Sequence, residues 1–167
     1  MADLMHYSPE DITILVAGFI PISGLIDGTF VTISKDLAVF STARTSDGQV
    51  ARLYSNDSTY TITITLQNTA ESNDILTKLW QVDEISQMGK FPLMIKDQLG
   101  TSLFFSTTSW IESVPTMEYS TNISDRVWVI RSSQAVINFG ANQERSSAIQ
   151  DLANIVASSL PILEGLF

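Results

Sequence analysis

Cysteine is absent from this 167-residue chain, and histidine occurs once, at His6. The first absence excludes disulfides, thiolate nucleophiles and cysteine-ligated zinc, leaving packing or subunit association to hold the fold together. The second leaves acid–base catalysis poorly served, because the single imidazole lies near a chain end, where catalytic geometry is seldom held. Basic residues are scarce too: 9 Lys and Arg against 18 Asp and Glu give a formal charge of −9. That is the opposite of the cationic footprint that neutralises phosphates, so tight DNA binding is not expected. Apolar runs are short, and none reaches the roughly 18 to 20 residues that cross a bilayer. The start, Met1-Ala-Asp-Leu-Met5, lacks the basic head and apolar body of a secretory signal, and the expectation is a cytoplasmic, non-membrane protein. A phosphate-binding loop, a dinucleotide fingerprint and a glycine-flanked serine elbow are missing as well, so no catalytic, cofactor or metal site is expected.

What is present argues for a folded domain. With 44% hydrophobic and only 16% charged residues, the composition is far from that of a disordered chain. The length suits one core of ordinary domain size. Ile12 to Phe19 is a nearly continuous apolar run closed by Pro21, and Thr29 to Ser34 alternates; both are predicted strands, paired through a turn at Asp27-Gly28. From Asp36 to Ser58 the periodicity fades into small, polar and charged residues. A stretch of that length is usually functional or flexible, and Val50, Leu53 and Tyr54 suit a short strand inside it, part of a protruding hairpin.

Thr59 to Leu66 has the cleanest pattern: Thr59, Thr61, Thr63 and Thr65 on one face, Tyr60, Ile62, Ile64 and Leu66 on the other. Ser72, Asn73 or Asp74 can cap a helix whose stripe is Ile75, Leu76, Leu79, Trp80 and Val82, extended by Ile85 and Met88 and stopped at Gly89. Further strands are predicted at Pro92 to Asp97, Thr101 to Thr107, Trp110 to Val114 and Asp125 to Phe139. In the last, Val127 and Val129 are expected to share a face with Ala135 and Ile137, opposite Trp128 and Ile130. Ile149, Leu152, Ile155, Val156 and Leu160 predict a second amphipathic helix ending near Pro161. The expected fold is mainly β with α: an antiparallel β-barrel or sandwich over 1–140 with one packed helix, followed by a helical extension over 141–167.

Several groups have two readings. Asp47, Asn56 and Asp57 carry oxygen ligands suited to calcium but lack the alternating spacing of a calcium loop, and Asp-Gly and Asn-Asp are ordinary turn chemistry. Trp80, Trp110 and Trp128 could stack on sugars, yet Trp80 and Trp128 fall on apolar stripes and read as core. Asp83 and Glu84 are sequence neighbours on a helix and do not face one another as a catalytic carboxylate pair. Carboxylates brought together only by folding would still allow a hydrolase. The acceptor tripeptides at Asn56 and Asn122 have no meaning without secretion.

A run of segments carries a more specific signal: Thr45-Ser-Asp-Gly-Gln-Val-Ala-Arg52, Ser55-Asn-Asp-Ser58, Thr61-Ile-Thr-Ile-Thr-Leu66, Ser72-Asn-Asp-Ile-Leu76, Pro92-Leu-Met-Ile-Lys-Asp97 and Gly100-Thr-Ser-Leu103. In this order they resemble the tail tube proteins of contractile-tailed bacteriophages, a fold also used by type VI secretion tubes and other injection devices. The resemblance extends to about Gly140 and does not include Gln143 to Phe167. It implies a non-enzymatic structural subunit without cofactor. Hexameric rings would stack into a tube inside a contractile sheath, with baseplate and neck proteins at its ends, and DNA would transit the bore without tight binding. It implies assembly in the host bacterial cytoplasm and a place in the virion tail. By the same resemblance the 36–58 excursion reaches a neighbouring ring, which makes Arg44, Asp47, Arg52, Asn56 and Asp57 the contact candidates. The competing reading is a carbohydrate-binding β-sandwich with Trp110 on an exposed edge.

Overall fold

A computed structural model describes residues 7–140. Its strands are β1 (Ile12–Val16), β2 (Ile20–Pro21), β3 (Val31–Lys35), β4 (Phe40–Arg44), β5 (Val50–Tyr54), β6 (Tyr60–Gln67), β7 (Phe91–Asp97), β8 (Leu103–Ser113) and β9 (Asp125–Asn138), with one helix, α1 (Ser72–Ser86), between β6 and β7. His6 and the 149–160 stripe lie outside the described residues.

Seven strands form one antiparallel sheet in the order β2-β1-β7-β8-β9-β6-β3, while β4 and β5 pair only with each other. The mainly β, antiparallel fold with a packed helix is thus as expected. The pairing of its first two long strands is not. β1 pairs with β7, in the register Ile14 to Ile95, and β3 pairs with β6, in the register Ile33 to Ile62. The positive φ of Gly28 serves the connection rather than a β1–β3 hairpin. Residues 22–26 span the gap between the two regions: Ile22 N–H donates to Ile14 O, while Gln67 N–H donates to Gly24 O and Ile26 N–H to Thr65 O. This bridge joins β1 to β6 across the open side of the sheet and gives it the partly closed form of a barrel.

The alternation of β6 does what its period demands. Tyr60, Ile62, Ile64 and Leu66 are buried, and the intervening residues of the strand are half-buried. Ile14, Val16, Leu93, Phe104, Trp128 and Ile130 complete one core with Leu76 of α1. Two expected strands, 101–107 and 110–114, are a single strand, β8. Its buried face changes parity, from Phe104 and Ser106 to Ser109 and Ile111. β9 changes parity opposite the same point. Gln134 takes a left-handed φ of 53, so Ala135 and Ile137 pack on the core with Trp128 and Ile130, not with Val127. One residue in a left-handed conformation reverses every later side chain, which a strict period of two cannot show.

The helix departs from expectation at both ends. Ser72 is its first residue and turns its hydroxyl to accept the Ser23 N–H (2.9 Å), while Asn73 donates back to Gln67 O and Ala70 O. At the far end Gln87, not Gly89, adopts the left-handed cap. Gly89 is demanded by close approach instead, because a Cβ there would stand 2.4 Å from that of Asp83. The end of the expected apolar stripe, Val82, Ile85 and Met88, is exposed.

Candidate functional site

The described residues show no group of three or more His, Asp or Glu able to hold a metal ion. The most conspicuous feature is instead a surface, the β4–β5 hairpin. All but one of its ten strand residues are exposed. The in-register pairs Phe40–Tyr54, Thr42–Arg52 and Arg44–Val50 share one face, and Ser41–Leu53 and Ala43–Ala51 the other. Phe40 and Tyr54 rings are 5.6 Å apart, and the Arg52 guanidinium lies 4.2 Å from the Phe40 ring centre. A two-stranded ribbon with both faces in water has little reason to persist alone. Four large apolar side chains of the hairpin are exposed, Phe40, Val50 and Tyr54 on one face and Leu53 on the other, and exposed apolar surface of this kind marks an interaction site.

The root of the hairpin is clamped. Asp36 N–H donates to Thr59 O, and the Asp36 carboxylate accepts from the Thr61 hydroxyl and, at 2.6 Å, from Arg131 Nη1. Arg131 also donates to Glu112, which ties the exit of β3 to β8 and β9. The Thr61 hydrogen bond and the Arg131 charge hold the Asp36 carboxyl below its ordinary value against partial burial. The Glu112 hydrogen bond and the charges of Asp36 and Glu112 raise Arg131. In the connection between β5 and β6, the Asp57 carboxylate accepts from Thr59 N–H and hydroxyl, and the Asp57 carbonyl accepts from Lys35 Nζ at 2.8 Å. These anchors set where the hairpin leaves the sheet.

The five contact candidates fall on this element but not at one point. Asp47 lies in the exposed turn at the tip, with Arg44 at the end of β4 leading into it; Arg52 lies on the aromatic face; Asn56 accepts from the Tyr54 hydroxyl; and Asp57 serves the root. Trp110 is half-buried in β8, between β7 and β9, so its expected place on an exposed edge is corrected: β8 is an interior strand. Trp128 is core, and its Nε1 donates to Asn73 Oδ1.

One residue escaped the sequence reading. Arg126 is only 9% exposed, at the end of β9 opposite Leu66. The signal was available, since Arg126 has the same parity as Trp128 and Ile130 and therefore points with them.

Chains of solved particles share this architecture. One from the anti-feeding prophage cap, the tube terminating cap, has a TM-score of 0.57 at 13% identity, covering 83% of this chain and 94% of its own. One from the virion of a native gene transfer agent particle scores 0.55 at 13% identity, over 80% and 99%. One from the sheath/tube terminator of an extracellular contractile injection system scores 0.52 at 15% identity, over 82% and 99%. The fold is that of the tail-tube-related subunits of contractile particles. In sequence the chain is 30% identical over 161 residues to structural protein ORF10 of Pseudomonas phage KPP10, covering 92% of this chain and 93% of that protein. It belongs to that family of phage structural proteins. No protein-family model matches it.

Proposed function

We propose that this chain is a non-enzymatic subunit of a phage tail tube, forming hexameric rings that stack into the conduit for DNA inside a contractile sheath, with baseplate and neck proteins at the ends. The observation that carries this is the hairpin: an ordered, clamped ribbon with an apolar face that its own sheet does not cover. Among the described residues β3 ends the sheet, leaving an edge onto which a neighbour's strand can pair. The outer face of β3, β6 and β9 also suits passive transit. It presents Ser34, Thr61, Thr63 and Thr65, and its Arg131 is already held by two carboxylates. On this reading Arg44, Asp47, Arg52, Asn56 and Asp57 form or position the contact between rings, and the tube-like domain ends near Gly140. The protein is assembled in the host bacterial cytoplasm and ends in the virion tail.

A second reading is a tube terminator, favoured because two of the solved relatives are a tube terminating cap and a sheath/tube terminator. Negative-stain micrographs of the purified protein separate the two. A conduit subunit elongates into tubes of many rings, a terminator stops at isolated rings, and a protein that stays monomeric at high concentration overturns both.

A further inference from the structure

The bridge at residues 22–26 closes the barrel beside Ile14 and Leu66, but among the described residues no strand joins β3 to the start of β1 or the end of β9. β6 begins opposite Ser132, so beyond that point β9 pairs with β8 alone among the described strands. An open groove of about 390 Å3 remains, with Ile95 and Phe104 as its floor and Ile12, Val31, Ile33 and Ile137 as its walls. The floor is buried. The four wall residues are only half-buried, so the groove presents apolar surface that its own strands do not cover. The left-handed φ of Gln134 is what turns Ile137 into this groove instead of away from it. Asp97, 6% exposed, adds a carboxylate to the lining and forms no ion pair among the described residues.

The path of the chain out of this groove selects what covers it. Asn138 and Phe139 belong to the lining, and Gly140 follows them. Gly140 packs so closely on the β7–β8 turn that a Cβ would collide with Thr101 Oγ1 and with the Ser102 backbone. Asn138 Nδ2 donates to Thr101 O at 3.1 Å, and its Oδ1 accepts Gly140 N–H at 3.2 Å. Residues 141–167 therefore start from a fixed point on the rim. Their sequence carries the apolar stripe Ile149, Leu152, Ile155, Val156 and Leu160, and a single cation, Arg145, to set against the Asp97 carboxylate. Fully extended, 141–148 reaches about 28 Å, beyond the roughly 17 Å length of β3, the far wall. A segment so tethered meets the groove at an effective concentration on the order of millimolar, which an untethered partner does not ordinarily match. We infer that residues 141–167 of the same copy lay their stripe into the groove and complete the barrel in cis. The groove is then an internal docking surface and not an interface between copies, whether the subunit serves as conduit or terminator.

The absence of native cysteine makes the test specific. In the full chain, Ile33→Cys is combined in turn with Leu152→Cys, Ile155→Cys and Val156→Cys, and Thr32→Cys with the same three. Thr32 is exposed on the opposite face of β3 and serves as the control. Under mild oxidation at least one Ile33 pair should link within a single copy, running as a monomer of raised mobility on a non-reducing denaturing gel, on the order of tenfold faster than its Thr32 counterpart. Links that form only between copies assign the groove to a second copy's segment, and equal rates at Ile33 and Thr32 deny it this occupant. Either result overturns the inference and leaves the assembly reading untouched. Separately, Leu152→Asp should bind about threefold more of the dye ANS, which reports exposed apolar surface, whereas Gln150→Asp, off the stripe, should match wild type. Equal dye binding by the two variants also overturns the inference, and the cross-linking arm stands even if Leu152→Asp does not fold.

Discussion

Replacing Tyr54 by Ser should separate folding from assembly. Tyr54 is 66% exposed, and a tyrosine offers about 200 Å2 of contact surface, so roughly 130 Å2 awaits cover by a neighbour. At about 25 cal/mol per Å2 this corresponds to an upper value of about 3 kcal/mol per contact. Ordering side chains at an interface offsets part of it, leaving roughly 1 to 3 kcal/mol. That is on the order of 5- to 150-fold in the concentration at which assembly begins. The folded subunit loses little, because most of the side chain is already in water and its one ring neighbour, Phe40, sits on the same ribbon; the expected loss is within about 1 kcal/mol. Sedimentation across a concentration series measures the assembly threshold, and thermal unfolding of dilute subunits measures the fold. A threshold within twofold of wild type, with the fold intact, would refute the reasoning that the hairpin's apolar face is an assembly surface.

The converse pattern is expected at Leu76, which is fully buried under α1: Leu76→Ala should cost about 2 to 5 kcal/mol of folding stability, read by denaturant unfolding of the subunit. Acid should loosen the hairpin root. Because the Asp36 carboxyl is held below its ordinary value of 3.8, chiefly by the Thr61 hydroxyl and then by Arg131, its contribution is fully present above about pH 4. It is lost as the pH falls through the lower folded value. Asp36→Asn should remove that part of the acid dependence, and an unchanged stability profile between pH 5 and 2 would count against the clamp.

Much of the fold was legible because local chemistry and burial agree. β6 shows its two faces in plain alternation, α1 carries a stripe whose first turns do pack on the core, and the uncertain stretch from Asp36 to Ser58 proved to contain a hairpin with Asp57 at its root. The failures have a common origin. Turn signals at Asp27-Gly28 suggested that β1 and β3 pair, but strand pairing over long separations is decided by which edges the curled sheet brings together. The stripe beyond Val82 reads as core from its spacing alone, yet the helix runs past the sheet it rests on, so Ile85 and Met88 meet no partner within the described chain. Of the contact candidates, the acidic tip and the cation on the aromatic face were visible as residue types. The buried guanidinium of Arg126 was hidden within an otherwise ordinary strand pattern.

From residue order alone follow the mainly β class, the helix, the acidic and thiol-free surface and the long excursion that proved to carry the hairpin, because each depends on chain-local periodicity or on composition. Only the tertiary structure decided that the hairpin stands clear of the sheet, that Gln134 reverses the faces of β9, and that Arg126 is buried against the β8–β9 connection, where it donates to Thr116 O. Burial and distance between residues far apart in sequence arise when the sheet curls, and no local pattern encodes them.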